Sequence, residues 1–462
     1  MTYVTLAVLG AALALFGVLG VRASRAGIRL DDYVAARNSQ GTQAIGLSFL
    51  ASSMGAWILF APPEIAAFVG PVGLAGYAIG AALPFVVLGL YGPAIRRRLP
   101  EGRSISEFAE ACYGPGVRRW VACVSVAYMA CFLAAELTAI GSIAGLLSDV
   151  DPSLIIIGIA LVTLVYTTLG GLRASMATDR WQAWLLLALL LLVAAVAWWG
   201  LPPLPPEATM PSAPMGSALS VGLTLVIAVT AANLFHQGYW QRVWAAENDR
   251  ALGRGALFGA VATLVVVMIV GGLGMLAAMQ ALSLGEPPIP FFALVSAAPG
   301  WLSLPALVLA VTLVASSVDT LQSAIASMAV ASTGRQGLSM RGAQWLTVLL
   351  MVPVVWVGLQ GFSVLRLFLI ADLLCAAIVV PVLLGPWRRM SALAALVGGV
   401  AGLLGAILPG WVTTGSLTGG VLAASFPDSV PTLGPFLGAL LASTGVSVLI
   451  AVLRPARASA PH

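Results

Sequence analysis

The stretch Leu313–Ser327 reads L-V-A-S-S-V-D-T-L-Q-S-A-I-A-S, inside an otherwise apolar run from Ser303 to Ala329. Such a run crosses a bilayer, because a spanning helix needs about 20 apolar residues. No water is available there to satisfy stray hydroxyls and carboxylates, so these groups must face partners inside the protein. Ser316, Ser317, Asp319, Thr320 and Ser323 set oxygen atoms along one short stretch of this helix. A hard cation such as sodium takes oxygens in place of its hydration shell. Small polar residues also join membrane helices by hydrogen bonds. Ser323 and Ser327 read as such joints, and the Ser316-Ser317 pair beside a carboxylate reads as an ion site.

The rest of the chain has the same character. Of 462 residues, 60% are hydrophobic and only 8% are charged, against about 25% charged in a soluble domain. The fold class that follows is all-α, a polytopic membrane protein in a lipid bilayer. The formal charge of +5 does not mark a nucleic-acid binder. All 22 basic residues are Arg, in short clusters between apolar runs, which is the pattern of topology signals. Cys112, Cys123, Cys131 and Cys375 show no metal-ligand spacing and read as small hydrophobes. Met1–Val21 lacks a basic start and a cleavage site, and reads as a retained first span.

Thirteen apolar runs lie near 2–21, 45–69, 72–95, 117–147, 153–170, 180–200, 217–237, 255–282, 303–329, 342–360, 363–385, 391–411 and 433–453. With the N-terminus outside, alternation puts Arg22, Arg25, Arg29 and Arg37 in the cytoplasm, then the clusters Arg96–Arg103 and Arg118-Arg119. Arg173, Arg180, Arg242, Arg250, Arg254, Arg335, Arg341, Arg388, Arg389, Arg454 and Arg457 follow on the same side. The opposite loops hold Asp149, Asp151, Glu207, Glu286 and Asp428 and no Arg, and only Arg366 stands at an outer span end. The positive-inside rule is obeyed, with the C-terminus in the cytoplasm. The expected location is the cytoplasmic (inner) membrane.

Spans two to six enter from the cytoplasm and spans seven to eleven from outside, the arrangement of an inverted repeat. The expected organisation is a leading helix and loop (1–44), a first repeat of five core helices (45–210) and a second repeat (211–389). Two trailing helices and a tail (390–462) complete it. This 5+5 core predicts interruptions in spans two and seven. Span two carries Gly55 and then Pro62-Pro63, and paired prolines free carbonyls that membrane helices expose only to line a cavity or bind something. Glu64 then falls where the helix restarts. Span seven has no proline but carries Thr224, Thr230, Asn233 and His236. His236 reads as a helix-end hydrogen bonder. Glu64, Glu136, Asp319, Arg366 and Asp372 lie within spans, and each needs a partner or a wet path. Arg366 and Asp372 are too far apart on one helix to pair with each other.

Four stretches together resemble the sodium/solute symporter family, with its LeuT-like inverted repeat. They are D-D-Y-V-A-A-R-N-S (Asp31–Ser39), T-T-L-G-G-L-R-A-S-M-A-T-D-R-W-Q (Thr167–Gln182), G-Y-W-Q-R-V-W-A-A-E-N (Gly238–Asn248) and the segment around Ser316-Ser317. The resemblance implies a sodium site of the Ala51 and Met54 carbonyls, the Leu313 carbonyl and the Ser316 and Ser317 hydroxyls. Asp179 is the signature Asp, a further sodium-binding residue; its alternative is a solvated cytoplasmic carboxylate pairing with Arg173 or Arg180. The sugar-binding residues of the family are not kept at Ile58, Tyr77, Val229 and Ala232, and Ser53 replaces the Asp of proline-transporting members. The expected substrate pocket is Trp57, Glu64, Tyr77, Glu136 and Asn233.

The expected activity is import of a small polar organic solute (amino acid, amine, urea-like or carboxylate), coupled to Na+ by alternating access, with no other cofactor and no enzymatic step. Proton coupling through Asp179, Asp319 or Glu136 is the alternative ion chemistry. A partner-dependent sensor is the alternative role, since the few residues after the last span leave no room for a fused kinase. One His within the spans, His236, does not make a His-rich metal site for an intramembrane enzyme.

Overall fold

The computed structural model describes residues 2–24, 30–285, 288–332, 339–428 and 430–454. Arg25, Arg29, Glu286, Arg335 and Arg457 of the topology pattern lie outside the described residues. Apolar segments that must satisfy their own backbone become helices, and the named elements follow that rule. In chain order they are α1 (Thr2–Ala23), α2 (Leu30–Val34), α3 (Thr42–Ser53), α4 (Trp57–Phe68), α5 (Pro71–Arg98), α6 (Ile105–Tyr113) and α7 (Pro115–Leu147). Then come α8 (Pro152–Gly200), α9 (Met215–Phe235), α10 (Gln237–Ala245), α11 (Asp249–Met279), α12 (Pro290–Ala297) and α13 (Ser303–Ser332). The last are α14 (Met340–Gly358), α15 (Val364–Ala376), α16 (Val379–Leu383), α17 (Ala392–Thr414), α18 (Leu417–Ala423) and α19 (Leu433–Leu453).

Among the described residues, 10 helices are long and apolar enough to cross a membrane, or up to 11 if the bent pair α3 and α4 is one span. The 49 residues of α8 would extend about 74 Å at 1.5 Å per residue, against a hydrocarbon core of about 30 Å. Its helix is interrupted at Gly171, where φ is 56° and ψ is −141°. The opening stretch of the sequence falls in α13, which packs against α8, α7 and α3 and is the most buried of the candidate spans. Its polar residues therefore face protein.

Two links break helices in nearly the same way. Met54, between α3 and α4, has φ −96° and ψ 101°; His236, between α9 and α10, has φ −72° and ψ 103°. In each, the linking N–H reaches back to a carbonyl three residues earlier, Ala51 or Asn233, at 3.2 Å. The bend across the first link is 67°. The expected cause of that break is corrected here. Pro62 and Pro63 lie inside α4, the helix restarts at Trp57 rather than at Glu64, and the unwound residues are Met54, Gly55 and Ala56. The second break is capped by His236, whose Nδ1 accepts from the Gly238 N–H at 3.1 Å.

Candidate functional site

The break at Met54–Ala56 is held by a carboxylate from another helix. Glu136 of α7 is fully buried, and its Oε2 accepts from the Ala56 N–H at 2.6 Å. Gly55 makes this possible, because a Cβ there would lie 1.9 Å from Glu136 Oε1. An unwound turn leaves N–H groups at the start of α4 without helical acceptors, and a carboxylate at a helix N-terminus answers both the hydrogen bond and the dipole. The Trp57 N–H and the Ser317 hydroxyl lie beside the same carboxylate.

The two adjacent alcohols of α13 diverge to different anions. Ser316 Oγ donates to Asp179 Oδ1 at 3.1 Å, while Ser317 stands by Glu136. On α3, Ser48 Oγ donates to Asp179 Oδ2 at 2.6 Å. Asp179 therefore ties α3, α8 and α13 together one turn before Ala51, and Glu136 ties the break itself to α13. Ala51, Met54, Leu313, Ser316 and Ser317 are all buried in this region.

Asp179 is not a solvated carboxylate pairing with Arg173 or Arg180. It is fully buried and ion-paired with Arg242 of α10 at 2.9 Å, both side chains having no exposed surface. Arg242 also donates to Ser48 Oγ (2.9 Å), the Gly238 carbonyl (2.7 Å) and Thr320 Oγ1 (3.2 Å). Arg242 therefore acts inside the protein rather than as a loop charge, and a buried pair survives only when its remaining donors and acceptors are met in this way. Asp319 faces α8 instead of the break. It accepts from Tyr166 Oη (2.5 Å), Ser175 Oγ (2.7 Å) and Thr178 Oγ1 (3.0 Å).

Beside the break lies a small cavity. It is lined by Trp57, Tyr77, Tyr128, Phe132, Val229, Ala232, Asn233, Phe368 and Asp372, and is tightly closed in this state, with a volume of about 20 Å³. Trp57 and Tyr77 stack with ring centroids 5.4 Å apart and planes 8° from parallel; Phe132 and Phe368 are 4.7 Å apart. Of the five expected pocket residues, Trp57, Tyr77 and Asn233 line it. Glu136 does not, because it is turned to the break; Glu64 does not, because it sits in α4 two turns beyond Trp57.

The pocket residues that sequence reasoning missed are aromatic ones, with Asp372. Arg366, a possible cross-helix partner for Asp372, instead donates to the Ser425 carbonyl at 2.9 Å. Among the described residues Asp372 has no hydrogen bond or ion pair, and the buried Tyr128 hydroxyl has no partner either. A carboxyl group among aromatic side chains is a chemistry that attracts organic cations.

The flanking segment Asp31–Ser39 docks where the signature stretches meet. Tyr33 Oη donates to the Thr167 carbonyl at 3.2 Å, and the Ser39 N–H donates to the Ala245 carbonyl at 2.9 Å. A Cβ on Gly171 would lie 2.2 Å from the Tyr33 carbonyl, so the α8 break and its glycine give α2 its seat. Asp31 pairs with Arg37 at 2.8 Å, and the Arg37 hydrogen bond holds its carboxyl below the ordinary value of 3.8. Glu107, at the start of α6, is pushed the other way by burial.

Residues 33–200 match the profile of the Sodium:solute symporter family. The spermidine transporter DUR31 of Candida albicans is 30% identical over an alignment of 395 residues that covers 82% of this chain and 75% of that relative. The chain belongs to the sodium:solute symporter family. This symporter is thus a membrane transporter and not an enzyme. Its fold is that of a Na+-coupled sialic acid symporter solved in a substrate-bound outward-open state, with a TM-score of 0.76, 17% identity and 98% of each chain covered. Mhp1, of the nucleobase-cation-symport-1 family, matches with a TM-score of 0.55 at 14% identity, over 93% of this chain and 97% of that one. The inward-facing form of Mhp1 gives 0.56 at 15%, over 94% and 96%.

Proposed function

We propose that this protein is a sodium-coupled importer of a small organic cation, a protonated amine, working by alternating access. The observation that carries the substrate class is the Asp372 carboxylate, without a hydrogen bond or ion pair among the described residues, in a cavity walled by Trp57, Tyr77, Tyr128, Phe132 and Phe368. A relative that transports spermidine, itself an amine cation, agrees with that reading. Sodium would be held by the Ala51, Met54 and Leu313 carbonyls and the Ser316 and Ser317 hydroxyls, with Asp179 fixing Ser316 from behind. Bound there, the ion bridges the broken span to α13, and its release loosens that bridge so that the helices rock.

The architecture in this reading is thirteen spans. The bent pair α3 and α4 makes eleven candidates, division of α8 at Gly171 makes twelve, and α15 with α16 makes thirteen. The matched breaks at Met54 and His236 support repeats over 45–210 and 211–389, flanked by 1–44 and 390–462. The N-terminus lies outside and the C-terminus in the cytoplasm of the inner membrane.

The test is uptake of labelled mono-, di- and polyamines into proteoliposomes with an inward sodium gradient. Wild-type protein accumulates an amine only with sodium present, and Ser317→Ala loses the sodium stimulation. A Ser317→Ala variant with unaltered sodium dependence rejects the ion site. Proton coupling is the second reading, favoured by the buried Asp319 and Glu136, neither of which has an Arg partner among the described residues. Accumulation driven by a pH gradient without sodium would select it.

A further inference from the structure

One oxygen at the break has no account in the sodium site as so far drawn. Glu136 Oε2 caps the start of α4, but Oε1 is fully buried and has no hydrogen-bond partner among the described residues. It lies over Gly55, in the space a Cβ would otherwise take. No described ion pair includes Glu136, and the guanidinium of Arg242 is engaged with Asp179. A buried carboxylate with a bare oxygen is costly unless a cation meets it. As a simple cap, one oxygen would suffice and the other would be better placed in contact with a donor.

We propose that the Glu136 carboxylate is the anionic ligand of the coupling cation, binding it at the Met54–Ala56 break together with Ser317. The proposal rests on the sodium reading of Ser316 and Ser317, and adds to it a full negative charge. Carbonyl and hydroxyl dipoles alone hold a monovalent ion weakly; a carboxylate in the same shell tightens the site and fixes its link to the broken helix. The position is economical in geometry: one side chain touches the first N–H groups of α4, the absent side chain of Gly55 and the hydroxyl of α13. The ion then neutralises Glu136, while the amine substrate neutralises Asp372, so the two cations enter two separate anionic seats.

The experiment measures binding of labelled Na+ to purified full-length protein, with no substrate needed. Glu136→Gln keeps an oxygen to accept from the Ala56 N–H and removes only the charge. Sodium affinity is expected to fall at least about tenfold, with amine affinity at saturating sodium within about twofold of wild type. Sodium affinity unchanged in Glu136→Gln overturns the proposal. Ser317→Ala is run alongside. If it abolishes sodium binding while Glu136→Gln does not, only the carboxylate assignment fails; if neither variant alters binding, the sodium reading of the pair fails with it. Should Glu136→Gln not fold, Glu136→Asp draws the charge back by one methylene. Weaker sodium binding in that variant supports the proposal, and wild-type sodium binding overturns it.

Discussion

At the scale of single residues, Asp372 and Glu136 show how two acids on apolar helices acquire different work. Asp372 looks into a ring of aromatic faces, and truncating one side of a desolvated charge pair costs about 2–5 kcal/mol. Asp372→Asn should therefore raise the KM for an amine at least about thirtyfold and leave the sodium concentration for half-maximal uptake in place. A KM shift below threefold would remove the carboxylate from the pocket. The sequence makes both acids visible as charges in the membrane but not what each one faces. Glu136 is expected in the substrate pocket because it lies mid-span, and only the contact with Ala56 across 80 residues of chain separation reveals its place. Arg242 is a second case: it sits among loop arginines in the pattern of charges, yet its guanidinium is buried against Asp179. The Gln241-Arg242 step is readable as part of the family-like stretch Gly238–Asn248, but its burial depends on α10 turning inward at His236.

At the scale of elements, the breaks are set by tertiary partners rather than by local breakers. Pro62 and Pro63 take part in α4 without ending it, whereas the unwound turn forms where Gly55 admits a carboxylate and His236 supplies a cap. That is why the paired prolines signal a break in span two but misplace it, whereas the resemblance, through the Ala51 and Met54 carbonyls, points to the end of α3 where the break lies. The same logic makes Gly171 the seat of α2. Its φ of 56° is a backbone state that costs other residues about 1–3 kcal/mol, and any Cβ meets the Tyr33 carbonyl. Gly171→Ala should release the 30–40 segment, seen as faster amide exchange there with little change in α17 and α19. The Asp31–Arg37 pair gives this docking a pH signature. Because the folded carboxyl is held below its ordinary value, its contribution is fully present above about pH 4 and is lost as pH falls through the lowered value. Amide protection in the segment, corrected for the intrinsic pH dependence of exchange, should accordingly be flat from neutral pH down to mildly acidic conditions, and Asp31→Asn should remove the acid-side change.

At the scale of the whole molecule, what matters is how many charges cross per substrate. In the proposed reading, two halves move about one ion and one solute. If the solute is a cation, the membrane potential drives it as well as the sodium. One charge falling through about 100 mV releases ~2.3 kcal/mol, and a tenfold sodium gradient adds ~1.4 kcal/mol. A neutral solute moving with one sodium then has about 3.7 kcal/mol behind it, enough for concentration by several hundredfold. A monovalent amine with the same single ion has about 6 kcal/mol, or roughly ten-thousandfold. A second coupled ion is thus unnecessary, in keeping with a signature Asp179 whose carboxylate is already neutralised by Arg242. The prediction is a charge-to-uptake ratio of two for a monoamine and three for a diamine, measured as current and isotope flux on the same membrane. A ratio of one with a monoamine would mean that the substrate crosses without sodium, and a ratio of zero that it exchanges against another monovalent cation; Asp372 would then be serving a uniporter or an exchanger instead of a symporter.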